Sequence, residues 1–396
     1  MLIELPRSFE RVGNALIYDT QKIYGFDSSP IPSRRAIDRY FVVKSVDYER
    51  LRSVEETMAI VIPVKNERLR LLEGVLCGLP QHCLPIIISA SAHEPINRFQ
   101  MECNTVDNFC QFSKRPYLMI HQTDPHLAEL FTLMGYHEVV SGQGSLRMGK
   151  AEGMLAGILL AQLLGKSHIG FIDADNYFPG AVMEYVRIYS ASFNMSKSPF
   201  HMSRILWHSK PKAIDSSLVF SKWGRASRHT NQVLNRLISL ITGFETDIIK
   251  TGNAGEHAMS MNLATRIGIA SGFAVETYNF IGIFEKFGGI QGLNLPAESL
   301  QDPIEIFQVE SRNPHLHESK GSEHVRDMIH QSMSVIYHSP VTSSTLKTEI
   351  TGLLRKERIL KKDQEPDRPR IYPALIQYPM EKAKVIFQQD RYLHDF

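Results

Sequence analysis

Four short apolar runs in the first half of the chain limit what it can fold into. They are Met58-Ala59-Ile60-Val61-Ile62-Pro63-Val64, Leu84-Pro85-Ile86-Ile87-Ile88-Ser89, Tyr117-Leu118-Met119-Ile120-His121 and His168-Ile169-Gly170-Phe171-Ile172. They are continuous rather than alternating and rich in β-branched residues, as strands covered on both faces are. Helical spacing fills the gaps between them. Leu69, Leu72, Val75, Leu76 and Leu79 recur at helical intervals up to Pro80, and further helices are expected within 95–112, at about 124–135 and at about 149–165. Strands alternating with helices give an α/β fold with a mostly parallel, doubly wound sheet. Such sheets bind ligands at the carboxyl ends of their strands, near a topological switch. That rule singles out the loops at 63–67, 89–91 and 173–176.

The second half reads differently. Segments 202–207 and 217–220 are expected as short antiparallel strands, and 304–309 alternates as a strand does. Helices are expected at about 227–242, 254–267 and 321–336. A basic helical run, 353–362, precedes a Pro-rich stretch through Pro366, Pro369 and Pro373.

Composition excludes several classes. Apolar residues make up 43% of the 396, enough for a sizeable core. Lys+Arg minus Asp+Glu is 44 − 42 = +2, so there is no global field for a polyanion. Glu357, Asp363 and Glu365 interrupt the basic run, which reads as a solvated helix face, and no nucleic-acid partner is expected. The longest apolar stretch, 154–165, contains Gln162 and falls short of the about 20 residues that span a bilayer. Met1 to Arg7 lacks the pattern of a secretory signal. Cys77, Cys83, Cys103 and Cys110 form no C-x-x-C pair. Free thiols in a reducing cytosol are expected, with no membrane partner.

Five motifs carry chemistry. Asp173-Ala174-Asp175-Asn176 puts two carboxylates at the end of the fourth strand, a pattern suited to a divalent cation bridging two phosphates. Pro63-Val64-Lys65-Asn66-Glu67 follows the first strand, with groups that can meet a base or ribose and Asn66 placed to cap the next helix. The Gly-rich stretch from Gly142 through Arg147, Gly149 and Lys150 to Met154 leads into a helix and suits an anion. It is not a Walker A loop, since no Ser or Thr follows the Lys. Thr251-Gly252-Asn253-Ala254-Gly255-Glu256-His257-Ala258 mixes glycines with polar residues, as an acceptor-binding or catalytic loop would. Asn313-Pro314-His315-Leu316-His317-Glu318 offers two imidazoles to a metal shell with Asp175.

Taken in this order, the motifs resemble those of the mannosyl-3-phosphoglycerate synthases, retaining glycosyltransferases of GT-A fold. The resemblance runs from about residue 58 to about 340. It implies a GT-A fold with a smaller antiparallel and helical subregion on the acceptor side. Residues 1–56 would be an extension packed on the core, 57–340 the catalytic domain (57–180 the nucleotide-sugar half, 181–340 the acceptor half) and 341–396 a tail. The implied reaction moves mannose from GDP-mannose to the 2-hydroxyl of 3-phospho-D-glycerate with retention. Glucosyl-3-phosphoglycerate synthase, or another GT-A sugar-nucleotide transferase, is the alternative. Pro63, Val64, Lys65, Glu67 and Ser89 would surround the guanosine. Lys150 would meet the diphosphate, and Asp173 with Ala174 would hold the donor's ribose or sugar. Asp175 would bind the metal with His315 or His317. Arg147, Thr251, Asn253, Ala254 and His257 would grip the acceptor, and Glu256 would join Asp173, Asp175 and Lys150 in catalysis. The expected cofactor is a divalent metal, Mg²⁺ first, with Mn²⁺ or Co²⁺ as alternatives. A cytoplasmic enzyme is expected, and a homodimer is compatible with the reading.

Overall fold

The computed structural model describes residues 1–26, 43–214, 217–221, 224–290, 300–316, 321–387 and 393–394. The strands in chain order are β1 (Leu2–Glu4), β2 (Phe9–Val12), β3 (Ala15–Gly25), β4 (Val43–Ser45), β5 (Met58–Val64), β6 (Leu84–Ser89), β7 (Tyr117–His121), β8 (His168–Phe171), β9 (His201–Leu206), β10 (Lys210–Ile214), β11 (Ser217–Ser221), β12 (His257–Ser260), β13 (Ile269–Ala270), β14 (Ile304–Glu310), β15 (Ile371–Tyr372) and β16 (Leu393–His394). Twelve of them form one sheet in the order β16-β7-β6-β5-β8-β12-β9-β14-β3-β1-β4, with β2 paired to β3. Strands β5, β6, β7 and β8 are mutually parallel, and β9, β14 and β3 continue parallel to one another. Strand β12 runs antiparallel to both of its neighbours, β8 and β9.

The continuous apolar runs are strands because both faces of the sheet are covered. On β5, Ala59 and Val61 face one core, shared with the helix Lys150–Leu163. Met58, Ile60 and Ile62 face the other, shared with the helices Leu69–Gly78 and Pro179–Met195. Each buried Val, Ile or Met among them contributes about 1.5–3 kcal/mol by leaving water. Gly157 lets the first helix approach closely, since a Cβ there would lie 2.6 Å from Val61. The chain leaves β5 for β6 on one side, while β8 pairs on the other. The switch point therefore lies between the carboxyl ends of β5 and β8.

Several expectations change. Segment 254–267 is not one helix: β12 takes 257–260, and only the short helix Met261–Ala264 follows. Its Ala and Met residues suit either form, and burial between β8 and β9 decides. Segment 202–207 is antiparallel to β12 but parallel to β14, whereas β11 pairs antiparallel with β10. The basic run does not stay helical, because the helix Ser344–Lys356 ends and Arg358 turns to φ 56°. Asn66 does not cap a helix. It sits at φ 55°, and the helix starts at Leu69. A helix not foreseen, Val275–Phe287, packs beneath the site.

Both chain ends are built into the sheets. Strand β3 lies parallel to β14, β15 pairs with β13, and β16 pairs with β7. The Tyr372 hydroxyl donates to Glu152 Oε1 at 2.7 Å, and the Tyr136 hydroxyl donates to the Pro373 carbonyl at 2.5 Å. Tyr378 stacks on Tyr136 with centroids 4.1 Å apart. All four cysteines are free thiols. Among the described residues no helix is long and apolar enough to cross a membrane.

Candidate active site

The reversed strand β12 gathers the motifs on one rim. His257 at its start pairs with Phe171 at the end of β8 and with Arg204 near the end of β9. The 251–256 loop therefore enters where the 172–176 turn leaves. Glu310, the last residue of β14, pairs with Leu206, which brings 311–316 to the same edge.

Lys150 is the hub. It opens the helix Lys150–Leu163, whose N-terminus has no side-chain cap. Its Nζ lies 2.7 Å from Asp173 Oδ1 and 2.8 Å from Glu276 Oε1. Burial alone would lower the lysine pKa, but the two carboxylates outweigh it and hold the ammonium charged. Gly255 must be small, since a Cβ there would sit 2.7 Å from Asp173 Oδ2.

Glu256 lies behind the crevice rather than in it. It is fully buried; Asn176 Nδ2 donates to its Oε1 and Trp207 Nε1 to its Oε2, both at 2.9 Å. Burial, then the nearby Asp173, pushes its carboxyl up to about 7. Trp207 in turn stacks on His315 with ring centroids 4.4 Å apart. The Tyr177 amide donates to the Leu316 carbonyl, so the segments after Asp175 and His315 are joined directly. Glu184 accepts from the amides of Arg312 and Asn313 and fixes that loop.

His257 does not face the crevice. Its Nδ1–H donates to the Ala254 and Gly255 carbonyls, and its Nε2 accepts from the Asn279 amide at 3.0 Å. Burial, reinforced by Arg204 and Lys150, pushes it down to about 3, so it is a neutral structural imidazole. Thr251 and Asn253 also point inward, to Gln308 and to Ser332. They shape the loop, whose Gly252 and Ala254 amides and Thr251, Gly252, Ala254 and Gly255 carbonyls are also bonded within the protein. A small cavity separates Trp207 from Thr251, Asn253 and Ala254, closed by Gly224 and Ser227 at the start of the helix Arg225–Thr242. Arg147 is half-buried on the Gly-rich loop, where its Nε donates to the Glu138 carbonyl.

At the switch point, Val64 is buried, Pro63 and Glu67 are half-buried and Lys65 is exposed. Ser89 is wholly buried, so it holds the loop rather than meeting a ligand. Its hydroxyl donates to Glu102 at 2.7 Å. The Ser91 hydroxyl donates to the other Glu102 oxygen at 2.6 Å and accepts from the Asn66 amide at 2.6 Å.

The sequence reading missed Glu276, Arg204, Trp207 and Glu102. Arg204 is fully buried; it donates to the Thr251 and Glu276 carbonyls, and burial pushes it down to about 9. A charged residue next to Ile205 and Leu206 in a strand was the available signal. Among the described residues no three His, Cys, Asp or Glu side chains form a closed metal cage, and His317 lies outside them. The donor set nonetheless suits a divalent cation. Asp175 and His315 reach one rim, Asp173 and Glu276 hold Lys150 between them, and Asp173 and Asp175 act on the buried Glu256. An open site of this kind fits an ion that completes its shell with diphosphate oxygens and water.

A family model described as mannosyl-3-phosphoglycerate synthase matches residues 5–387. The chain belongs to the mannosyl-3-phosphoglycerate synthase family. The mannosyl-3-phosphoglycerate synthase of Pyrococcus furiosus is 41% identical over 384 residues, 96% of each chain. That of Aeropyrum pernix is 36% identical over 373 residues, 94% of this chain and 93% of the other. Solved structures of glucosyl-3-phosphoglycerate synthase from Mycobacterium tuberculosis share the fold. One, with Mn²⁺, UDP-glucose and phosphoglyceric acid, superposes at TM-score 0.50 with 14% identity over 84% of this chain and 96% of that one. Another, with phosphoglyceric acid, gives 0.50 and 15% over 83% and 93%. This mannosyl-3-phosphoglycerate synthase family member is thus a glycosyltransferase with the GT-A fold.

Proposed function

We propose that the protein transfers mannose from GDP-mannose to the 2-hydroxyl of 3-phospho-D-glycerate with retention, using a divalent cation, Mg²⁺ first. Family membership supports the product. The observation that carries the donor reading is Lys150, held at an uncapped helix N-terminus against Asp173 at the sheet's switch point. With a net charge of +2, attraction for two phosphorylated substrates has to be local.

Pro63, Val64, Lys65 and Glu67 surround the guanosine, and Ser89 and Glu102 brace them. Lys150 donates to the diphosphate, while Asp173 and the Ala174 backbone hold the ribose or sugar. Asp175 and His315, with His317 beside it in sequence, hold the metal. When bound, that ion supplies positive charge to the departing diphosphate. Arg147, the 251–257 loop and the N-terminus of Arg225–Thr242 receive the acceptor's phosphate and carboxylate. Glu256 acts through Asn176 and Trp207. Both of its oxygens are taken, which argues against a covalent nucleophile. We favour displacement on the leaving-group face, with the acceptor hydroxyl's proton passing to the departing phosphate oxygen.

The test is an assay of GDP-mannose, GDP-glucose and UDP-glucose with 3-phosphoglycerate, reading the anomeric configuration by NMR. An α-mannosyl product from GDP-mannose is expected. Turnover with UDP-glucose alone would refute the donor assignment.

A further inference from the structure

Glu276 lies in the first turn of the helix Val275–Phe287 and is 3% exposed. Its Oε1 takes one hydrogen of Lys150 at 2.8 Å. Its Oε2 is buried without a hydrogen-bond partner. Its carbonyl accepts from Arg204 at 2.8 Å, and the same guanidinium holds the Thr251 carbonyl at 2.7 Å. The residue is therefore anchored to the acceptor loop through its backbone and to the donor side through its side chain.

An ammonium has three N–H bonds. Two of those on Lys150 are committed, one to Asp173 on the crevice side and one to Glu276 on the interior side. The Asp173 side chain is 31% exposed, against 4% for Glu276. With two directions fixed, the third N–H has one direction left. Without the interior carboxylate, the long lysine side chain can turn wholly onto Asp173, and the third N–H loses its aim.

We propose that Glu276 is the positioning residue for Lys150, directing its remaining N–H at the departing diphosphate. This rests on the reading of Lys150 as the diphosphate ligand. Because the aim matters most as charge develops on the leaving group, the loss should fall on kcat rather than on donor binding.

The experiment is a double-mutant cycle with Glu276→Gln and Lys150→Ala, each variant checked by thermal melting. Glu276→Gln in the otherwise natural protein should lower kcat by about tenfold or more, with the GDP-mannose KM changed less than about threefold. In the Lys150→Ala background the same substitution should cost less than about twofold. Equal losses in the two backgrounds would mean that Glu276 serves the fold alone, and an unchanged kcat for Glu276→Gln would overturn the proposal outright. Natural turnover by Lys150→Ala would instead remove the diphosphate reading on which it rests. If the Gln variant does not fold, Glu276→Asp keeps the charge and withdraws the carboxylate by one methylene. Its kcat loss should likewise vanish without Lys150.

Discussion

The indole of Trp207 lies against the imidazole of His315, ring centroids 4.4 Å apart and planes 20° from parallel. The same indole donates to the buried Glu256, so a candidate metal ligand is oriented from the protein interior. Partners behind a ligand typically change metal affinity by about 10–100-fold. Trp207→Phe keeps a ring and removes the donor. The Mg²⁺ concentration giving half-maximal activity should rise by about tenfold. An unshifted activation curve would show that the indole does not orient His315.

Asp175 sits on the turn after β8, where it is 8% exposed, and its carboxylate adds no apolar burial. Asp175→Ala should lose metal-dependent transfer by about a hundredfold or more, comparable to removing a transition-state charge partner. Its melting temperature should stay within a few degrees of the natural protein's. Chelation should abolish activity in the natural protein, with recovery on adding Mg²⁺ or Mn²⁺. Undiminished turnover by the variant would remove Asp175 from the metal site.

Ser91 takes the Asn66 amide and gives its proton to Glu102. Ser91→Ala leaves a backbone donor unmatched, at a cost of about 1–3 kcal/mol. The slackened loop should raise the GDP-mannose KM by about fivefold while kcat holds, a pattern of lost uniform binding. Urea denaturation and steady-state kinetics read the two effects separately, and an unchanged KM would detach this network from donor binding.

His168 and His201 stack at 5.5 Å away from the site. Burial, then repulsion from the neighbouring His201 when both would be protonated, pushes His168 down to about 4, and burial lowers His201 as well. The unfolded chain, with ordinary histidine values near 6.5, binds more protons in the interval between. The stabilising contribution is thus complete above about pH 6.5 and is lost as pH falls toward 4. Urea midpoints measured from pH 7.5 to 4.5 should decline over that window, and His168→Phe should flatten the decline. A variant that follows the natural slope would assign the loss to other groups.

The parallel half of the sheet was legible because its strands are short apolar runs rich in β-branched residues, whereas the longer apolar run from 154, rich in Ala and Leu, is helical through Leu163. The rim was legible through the Asp173-Ala174-Asp175 turn, the 251–257 loop and the segment around His315. Strand β12 was not, because four buried residues, His257 to Ser260, carry no period long enough to separate strand from helix. Glu276 stayed hidden with its unforeseen helix. In sequence it is one acidic residue in a first turn, and only the folded chain places it beneath Lys150. His257 was read as gripping the acceptor, but its ring is bonded inside the protein, since motif membership does not say which way a ring points.

The bond between Tyr372 and Glu152 spans 220 residues. It therefore also sets an order of assembly. During synthesis Glu152 leaves the ribosome long before its hydroxyl partner exists, and until then a carboxylate meant for the interior lacks its cover. The helix that begins at Lys150 can gain this partner only once the chain 220 residues further on has emerged. A shorter nascent chain can close the parallel strands around a core, but the first turn of that helix is completed by a side chain 220 residues downstream.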